Sequence, residues 1–146
     1  MAEWTSPLPE RPARNVFRAL RRGFLCRCPN CGKGSLFRGY LKPALACAVC
    51  GEDLSHQRAD DAPPYFTMVL VGHLVVPVML AVSLSVDWST TTHLALWLPL
   101  TLALTLALLR PVKGATIALQ WALYMHGFDG SADPDAPVYG WRADGI

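Results

Sequence analysis

No lysine or arginine occurs anywhere from Ala62 to Leu109, and the first twenty-five residues of that stretch, Ala62 to Val86, carry no charge at all. At a rise of ~1.5 Å per residue such a run exceeds the ~30 Å hydrocarbon core of a bilayer, so it is long enough to span with tilt. A continuous apolar run is also missing ahead of the first cysteine, which excludes a secretory signal peptide. The chain has no metalloprotease helix motif, no phosphate-cradling glycine loop and no nucleophile elbow, and no internal repeat. The formal charge of +2 is too small to imply a nucleic-acid partner by itself. These absences leave a non-enzymatic membrane protein as the expectation.

What is present is a pair of cysteine knuckles, Cys28-Pro29-Asn30-Cys31 and Cys47-Ala48-Val49-Cys50. A two-residue gap lets both thiolates of one pair reach a single ion, and two pairs complete a tetrahedron. Each pair is followed by a glycine, Gly32 and Gly51, which tolerates the positive φ of a tight turn. The expected cofactor is one structural zinc ion on Cys28, Cys31, Cys47 and Cys50. A four-cysteine set leaves no open position for water or substrate, and no small-molecule substrate is evident. Cys26 reads as a spare thiol, and His56 as a surface residue.

The ordered series Cys28-Pro29-x-Cys31-Gly32-x-Gly34-x-Leu36-Phe37-x-Gly39-x-Leu41-Lys42, then Cys47-x-x-Cys50-Gly51, Ala59-Asp60-Asp61-x-Pro63 and an apolar span, resembles the bacterial family catalogued as domain of unknown function 983. The resemblance covers roughly residues 20 to 128. It implies a small bacterial inner-membrane protein with no assigned activity. In alphaproteobacteria such genes often sit among those for cytochrome c oxidase and its assembly factors, which implies a role near oxidase biogenesis.

The expected fold class is membrane α-helical, a two-span transmembrane hairpin with an N-terminal cytoplasmic zinc ribbon and flanking interfacial helices. Residues 1–24 read as a disordered lead-in and a basic amphipathic helix, with Val16, Phe17, Leu20 and Phe24 on one face and Arg14, Arg18, Arg21 and Arg22 on the other. Such a helix suits either an anionic lipid surface or a cover over the ribbon. The ribbon occupies 25–58, with Phe37 and Tyr40 expected over the metal. About thirty residues make a poor core, so the ion is expected to contribute about 10–16 kcal/mol of folding free energy.

Two spans follow within 62–110, at about 63–86 and 91–109. Leucine at every even position from Leu94 to Leu108 is strand periodicity taken literally. A lone strand in lipid would leave its backbone unpaired, so the segment is read as a helix. Thr101, Ala103, Thr105 and Ala107 offer it small faces for helix contact. Arg110-Pro111-Val112-Lys113-Gly114 reads as the end of that span, 111–128 as an interfacial helix and 129–146 as a loose tail. His73, the ionisable side chain inside a span, is expected to bond Thr101 or Thr105 of the facing helix. A haem or copper role for it lacks a second ligand at matching depth.

Residues 1–62 hold ten Lys and Arg, the turn between the spans none, and the segment after Leu109 three. The positive-inside rule then puts both termini and the ribbon in the cytoplasm. Ten cations and six acids before the first span leave +4, which a zinc tetrathiolate reduces to +2, weak for a phosphate footprint. The partners expected are the lipid bilayer and a membrane protein met by docking. Arg38 and Lys42, between the knuckles, are contact candidates. Asp60 and Asp61 read first as a helix entrance and alternatively as a carboxylate pair for a cation or a partner's arginine. A membrane-tethered nucleic-acid ribbon and a thiol–disulfide relay stay open beside the docking reading.

Overall fold

The computed structural model describes residues 12–58 and 62–129. The expected lead-in over 1–11, the helix entrance or carboxylate pair at Asp60 and Asp61, and the loose tail beyond Asp129 lie outside those residues. Three helices are present in chain order: α1, Val16–Phe24; α2, Ala62–Ser85; and α3, Thr90–Ala122. The ribbon lies between α1 and α2 and is held by isolated antiparallel bridges, Arg27 with Ser35, Phe37 with Pro43 and Ala46 with Asp53. The expected helical class and two-helix hairpin are borne out.

Helix α1 starts where Asn15 caps it, its side chain accepting from the Arg18 N–H at 2.9 Å. The face it packs on the protein is not the apolar face expected if the helix covers the ribbon, while the lipid-surface alternative is not addressed by these contacts. Ala19 and Gly23 are buried and Val16 partly so, whereas Phe17 is 80% and Phe24 46% exposed. The helix turns its smallest residues inward because its neighbour comes too close for anything larger. That neighbour is the end of α3: Arg14 reaches Trp121, and a Cβ on Gly23 would strike Gly114 and Ala118. Rising numbers in α1 meet falling numbers in α3, so the two helices run antiparallel.

Helix α2 opens with Pro63 and Pro64 in its first turn, where missing N–H groups cost nothing. Thr67 is buried and donates to the Pro63 carbonyl at 2.8 Å. Val86 to Trp88 then turn the chain, and Ser89 caps α3 by accepting from the Thr92 N–H. The even-numbered leucines lie within α3, which confirms the helical reading. Both α2 and α3 are long and apolar enough to cross a membrane by length and composition.

The second difference is the length of α3. The expected break at Arg110–Gly114 is absent, and one helix continues for 33 residues through Pro99 and Pro111 to Ala122. At ~1.5 Å per residue that is about 50 Å, some 20 Å more than a hydrocarbon core. An interior proline costs about 3 kcal/mol. Ile117 and Trp121 are buried on the far side of Pro111, and each large apolar side chain contributes about 1.5–3 kcal/mol, so packing outweighs the break. There is thus no separate helix over 111–128; Leu123 caps α3 and Phe128 folds back into the core.

That core is shared. Leu36, Leu54 and Ile117 are fully buried together with Ala19, Phe37, Ala118, Trp121 and Phe128, and the thiols of Cys28 and Cys47 belong to the same cluster. The ribbon therefore does not lack a core; it borrows the end of α3 and one face of α1.

Candidate metal centre

The two knuckles fold alike. The Gly32 N–H donates to the Cys28 carbonyl at 2.8 Å and the Gly51 N–H to that of Cys47 at 2.9 Å. Both glycines take the left-handed conformation predicted for them, at φ 72° and 73°. The turns bring all four Sγ atoms of Cys28, Cys31, Cys47 and Cys50 within 4.8 Å of one another. Cys28 and Cys50 are 3.8 Å apart, as are Cys31 and Cys47. A tetrahedron with Zn–S bonds near ~2.3 Å has edges of about 3.8 Å, so donor type and spacing both fit zinc. Gly34 is part of the fit, since a Cβ there would collide with the Cys47 sulfur.

Electrostatics set Cys28, Cys31 and Cys50 apart. Burial pushes the Cys28 thiol far above its usual range, against the pull of N–H groups at Cys31 and Asn30. Backbone N–H groups of Gly34 and Lys33 hold Cys31 down at about 6, and the Lys33 N–H lies 3.4 Å from its sulfur. Cys50 is raised, by burial first. Cys28 and Cys47 are buried, while Cys50 is exposed, so the centre faces solvent along one edge.

Cys26 stands outside the cluster. It adopts φ 58°, and burial raises its thiol with the Arg110 charge pulling the other way. His56 is not near the sulfurs; it pairs with Asp53 at 3.6 Å and meets Phe128 edge-on.

Side chains that the spacing of cysteines did not reveal hold the knuckles in place. Arg22 of α1 donates to the carbonyls of Pro29, at 2.9 Å, and Asn30. Its guanidinium lies against Gly32, beside a site that carries −2 with zinc bound. Glu52, immediately after the second knuckle, accepts from Asn30 Nδ2 at 2.8 Å and from Trp121 Nε1 at 2.6 Å. Arg14 is 3.8 Å from the same carboxylate and stacks over the rings of Trp121 and Tyr124. Gln120 exchanges two bonds with the backbone of Arg58, at 3.0 and 2.6 Å. The only signals in sequence were an acid following Gly51 and a Gln-Trp pair in an otherwise apolar stretch.

The remaining expected residues are not gathered at the metal. Phe37 is buried in the shared core, under the Arg110 guanidinium at 5.5 Å. Tyr40 does not cover the ion; its hydroxyl donates to the Leu106 carbonyl of α3. Arg38 and Lys42 are exposed on the same turn.

His73 does not bond the facing helix. Its Nδ1 lies 2.8 Å from the Val69 carbonyl of its own helix. Thr101 and Thr105 likewise donate within α3, to Trp97 and Thr101. A carbonyl four residues back is always within reach of such side chains, so no cross-helix partner is needed. Ala103 and Ala107 are exposed and do not form the expected close contact.

Residues 37–121 match the family model described as a protein of unknown function, DUF983. The chain belongs to that family. The match covers more than half of the chain and takes in the second knuckle, both long helices and Trp121, which closes the core. It starts after Cys31, so the first knuckle of this DUF983 protein rests on its own geometry. The searches of curated proteins and of solved structures found no match.

Proposed function

We propose that this DUF983 protein is a non-enzymatic docking or assembly factor, a zinc ribbon held at the bacterial inner membrane by α2 and α3. What carries the reading is the shared core: the ribbon is packed on the last turns of α3, so its orientation follows that helix. Apolar side chains are exposed around α2 and the first two thirds of α3, among them Leu74, Leu80, Leu98 and Leu102. A surface of that kind suits lipid, and α3 is long enough to leave the bilayer and carry the ribbon clear of it. The cation distribution supports a cytoplasmic side for the ribbon and both termini.

A four-thiolate centre has no coordination position left for chemistry, so its contribution is shape. Held beside the bilayer, such a surface meets partners in the same membrane at high effective concentration, and a small interface suffices. The resemblance-based association with cytochrome c oxidase names the partner to test first. Deleting the gene and quantifying assembled haem–copper oxidase, with complementation by the wild-type chain and by Cys47→Ser, tests the assignment. Reduced oxidase restored by wild type alone is the expected result, and normal oxidase in the deletion strain removes it. Salt-sensitive retention of nucleic acid, or cysteines that cycle between thiol and disulfide without losing metal, would favour the rival readings.

A further inference from the structure

The contacts along α3 rank the ribbon by depth. Glu52 meets Trp121, Leu36 meets Gly114, Phe37 lies under Arg110, and Tyr40 reaches Leu106. The metal knuckles are therefore at the end of α3 farthest from its apolar stretch, and the turn between them points back toward it. Leu106 precedes Arg110 by four residues, about 6 Å along the axis. Tyr40 thus sits below the first cation of α3, beside exposed Leu102 and Leu106.

The turn itself is well defined. The Arg38 N–H donates to the Lys42 carbonyl at 2.9 Å, and Phe37 bridges Pro43. Its apex is Gly39-Tyr40-Leu41, with a cation on each shoulder. Tyr40 remains 50% exposed although its hydroxyl is bonded.

Two cations, Arg38 and Lys42, flank the turn, whereas Arg14 and Arg22 lie at the knuckle end. From Arg11 to Gly51 there are nine Lys and Arg and no acid. The acids that follow, Glu52 and Asp53, begin at the opposite end, where Glu52 is engaged by Asn30, Trp121 and Arg14. Arg110 lies at the depth of the turn, and its buried Nε has no hydrogen-bond partner among the described residues.

We propose that the Arg38–Lys42 turn is a lipid anchor, with Tyr40 and Leu41 seated at the bilayer interface and Arg38, Lys42 and Arg110 receiving the phosphate of an anionic phospholipid. The inference rests on α2 and α3 spanning the membrane. An amphipathic tyrosine is suited to headgroup depth, and clustered cations just outside a span are attracted to anionic lipid. An acidic protein surface fits less well, because it would have to enter between the turn and the bilayer. The turn thereby fixes the ribbon's height, and Arg38 and Lys42 are taken from the list of partner contacts.

The test uses the full-length, zinc-loaded protein in nanodiscs of phosphatidylcholine, with and without phosphatidylglycerol. Hydrogen exchange of the turn amides and native mass spectrometry of retained lipid are measured for wild type and for Arg38→Gln/Lys42→Gln. Phosphatidylglycerol should slow exchange across the turn and be retained preferentially, and the double variant should lose about tenfold of that preference while keeping its zinc. Equal retention by both proteins, or turn exchange indifferent to phosphatidylglycerol, overturns the anchor. So does protection of the turn that appears only when a protein partner is added. Alkaline carbonate extraction separates the two levels: release from native membranes removes the spanning reading and the anchor with it, whereas resistant protein without a lipid effect removes the anchor alone.

Discussion

Gly23 and Gly114 touch backbone to backbone: a Cβ on either one would lie under 3.0 Å from the carbonyl oxygen of the other. Neither glycine has a positive φ, so the requirement is space and not conformation. Alanine in a helix is otherwise favoured over glycine by up to about 1 kcal/mol. Here the clash is with backbone on both sides and cannot be relieved by a rotamer, and overpacking costs about 1–3 kcal/mol. Gly23→Ala and Gly114→Ala should each lower the unfolding midpoint of the ribbon–α1 unit. A rise in either midpoint, which propensity alone would give, would show that the crossing is looser than described.

The zinc centre should hold one ion per chain. Serine in place of Cys28, Cys31, Cys47 or Cys50 removes a thiolate donor and should abolish tight binding, whereas Cys26→Ser should leave zinc content unchanged, because Cys26 lies outside the sulfur cluster. Elemental analysis of the five purified variants checks both statements. Retained zinc in Cys47→Ser with loss in Cys26→Ser would reassign the ligands.

How much of this was readable beforehand follows physical lines. The knuckles were legible because ligand spacing is local: two residues between thiols and a glycine after each pair specify the turn without tertiary help. The two long helices were legible because an uncharged run is measured against bilayer thickness. The length of α3 was not, because Arg110-Pro111 carries the local signature of an end and the burial of Ile117 and Trp121 that overrides it is tertiary. As a cover over the ribbon, the face of α1 misled for a related reason. Phe17 and Phe24 mark the most hydrophobic face, but contact with α3 is decided by how closely two backbones approach, which favours Ala19 and Gly23. Glu52 was invisible because its three partners come from three separate parts of the chain.

Zinc affinity should fall with acidification, with the sign set by the thiols. Cys31, held down at about 6, is already a thiolate at neutral pH. As a group depressed on folding, it favours the folded state fully above its unfolded value near 9.0, and that contribution is lost as pH falls through about 6. Cys28 and Cys50 are raised, so in the metal-free protein they carry protons at neutral pH and must release them to bind. Calorimetry in buffers of different ionisation enthalpy should therefore report protons released on zinc binding at pH 7, and competition with a chromophoric chelator should show weaker binding at pH 6. Buffer-independent heats would contradict the assigned protonation states.

His73 should be dispensable for the hairpin. Its ring bonds the Val69 carbonyl of the same helix, and that carbonyl keeps its ordinary helical partner when the ring is removed. His73→Gln and His73→Leu should both preserve helix association within about 0.5 kcal/mol, as for other substitutions away from a packed contact. Forster transfer between labelled α2 and α3 in mild detergent measures this. Dissociation in the leucine variant alone would point to a cross-helix bond instead.

Glu52 is the position where the metal centre and α3 can be uncoupled. Its carboxylate accepts from Asn30 on one oxygen and from Trp121 on the other, with Arg14 beside the second. Glutamine has nearly the same volume but presents an NH2 group, which Asn30 can accept only by turning its amide over and giving up the contact of its Nδ2 with the Cys50 sulfur, and the Arg14 charge loses its partner in either case. Bonds to charged groups contribute about 1.5–3 kcal/mol, and a loss of that size should loosen the ribbon from α3. Glu52 is not one of the four sulfur donors, so zinc should remain stoichiometric. Trp121→Phe deletes a single donor, keeps the ring in the core and should cost less. Hydrogen exchange over residues 47–54, read beside zinc content, separates these effects from metal loss. If function depends on the ribbon being rigidly presented, Glu52→Gln fails to complement the deletion strain with its zinc intact, whereas Cys47→Ser fails with its zinc gone. Full complementation by a loosened, zinc-loaded Glu52→Gln protein would show that a flexible tether suffices.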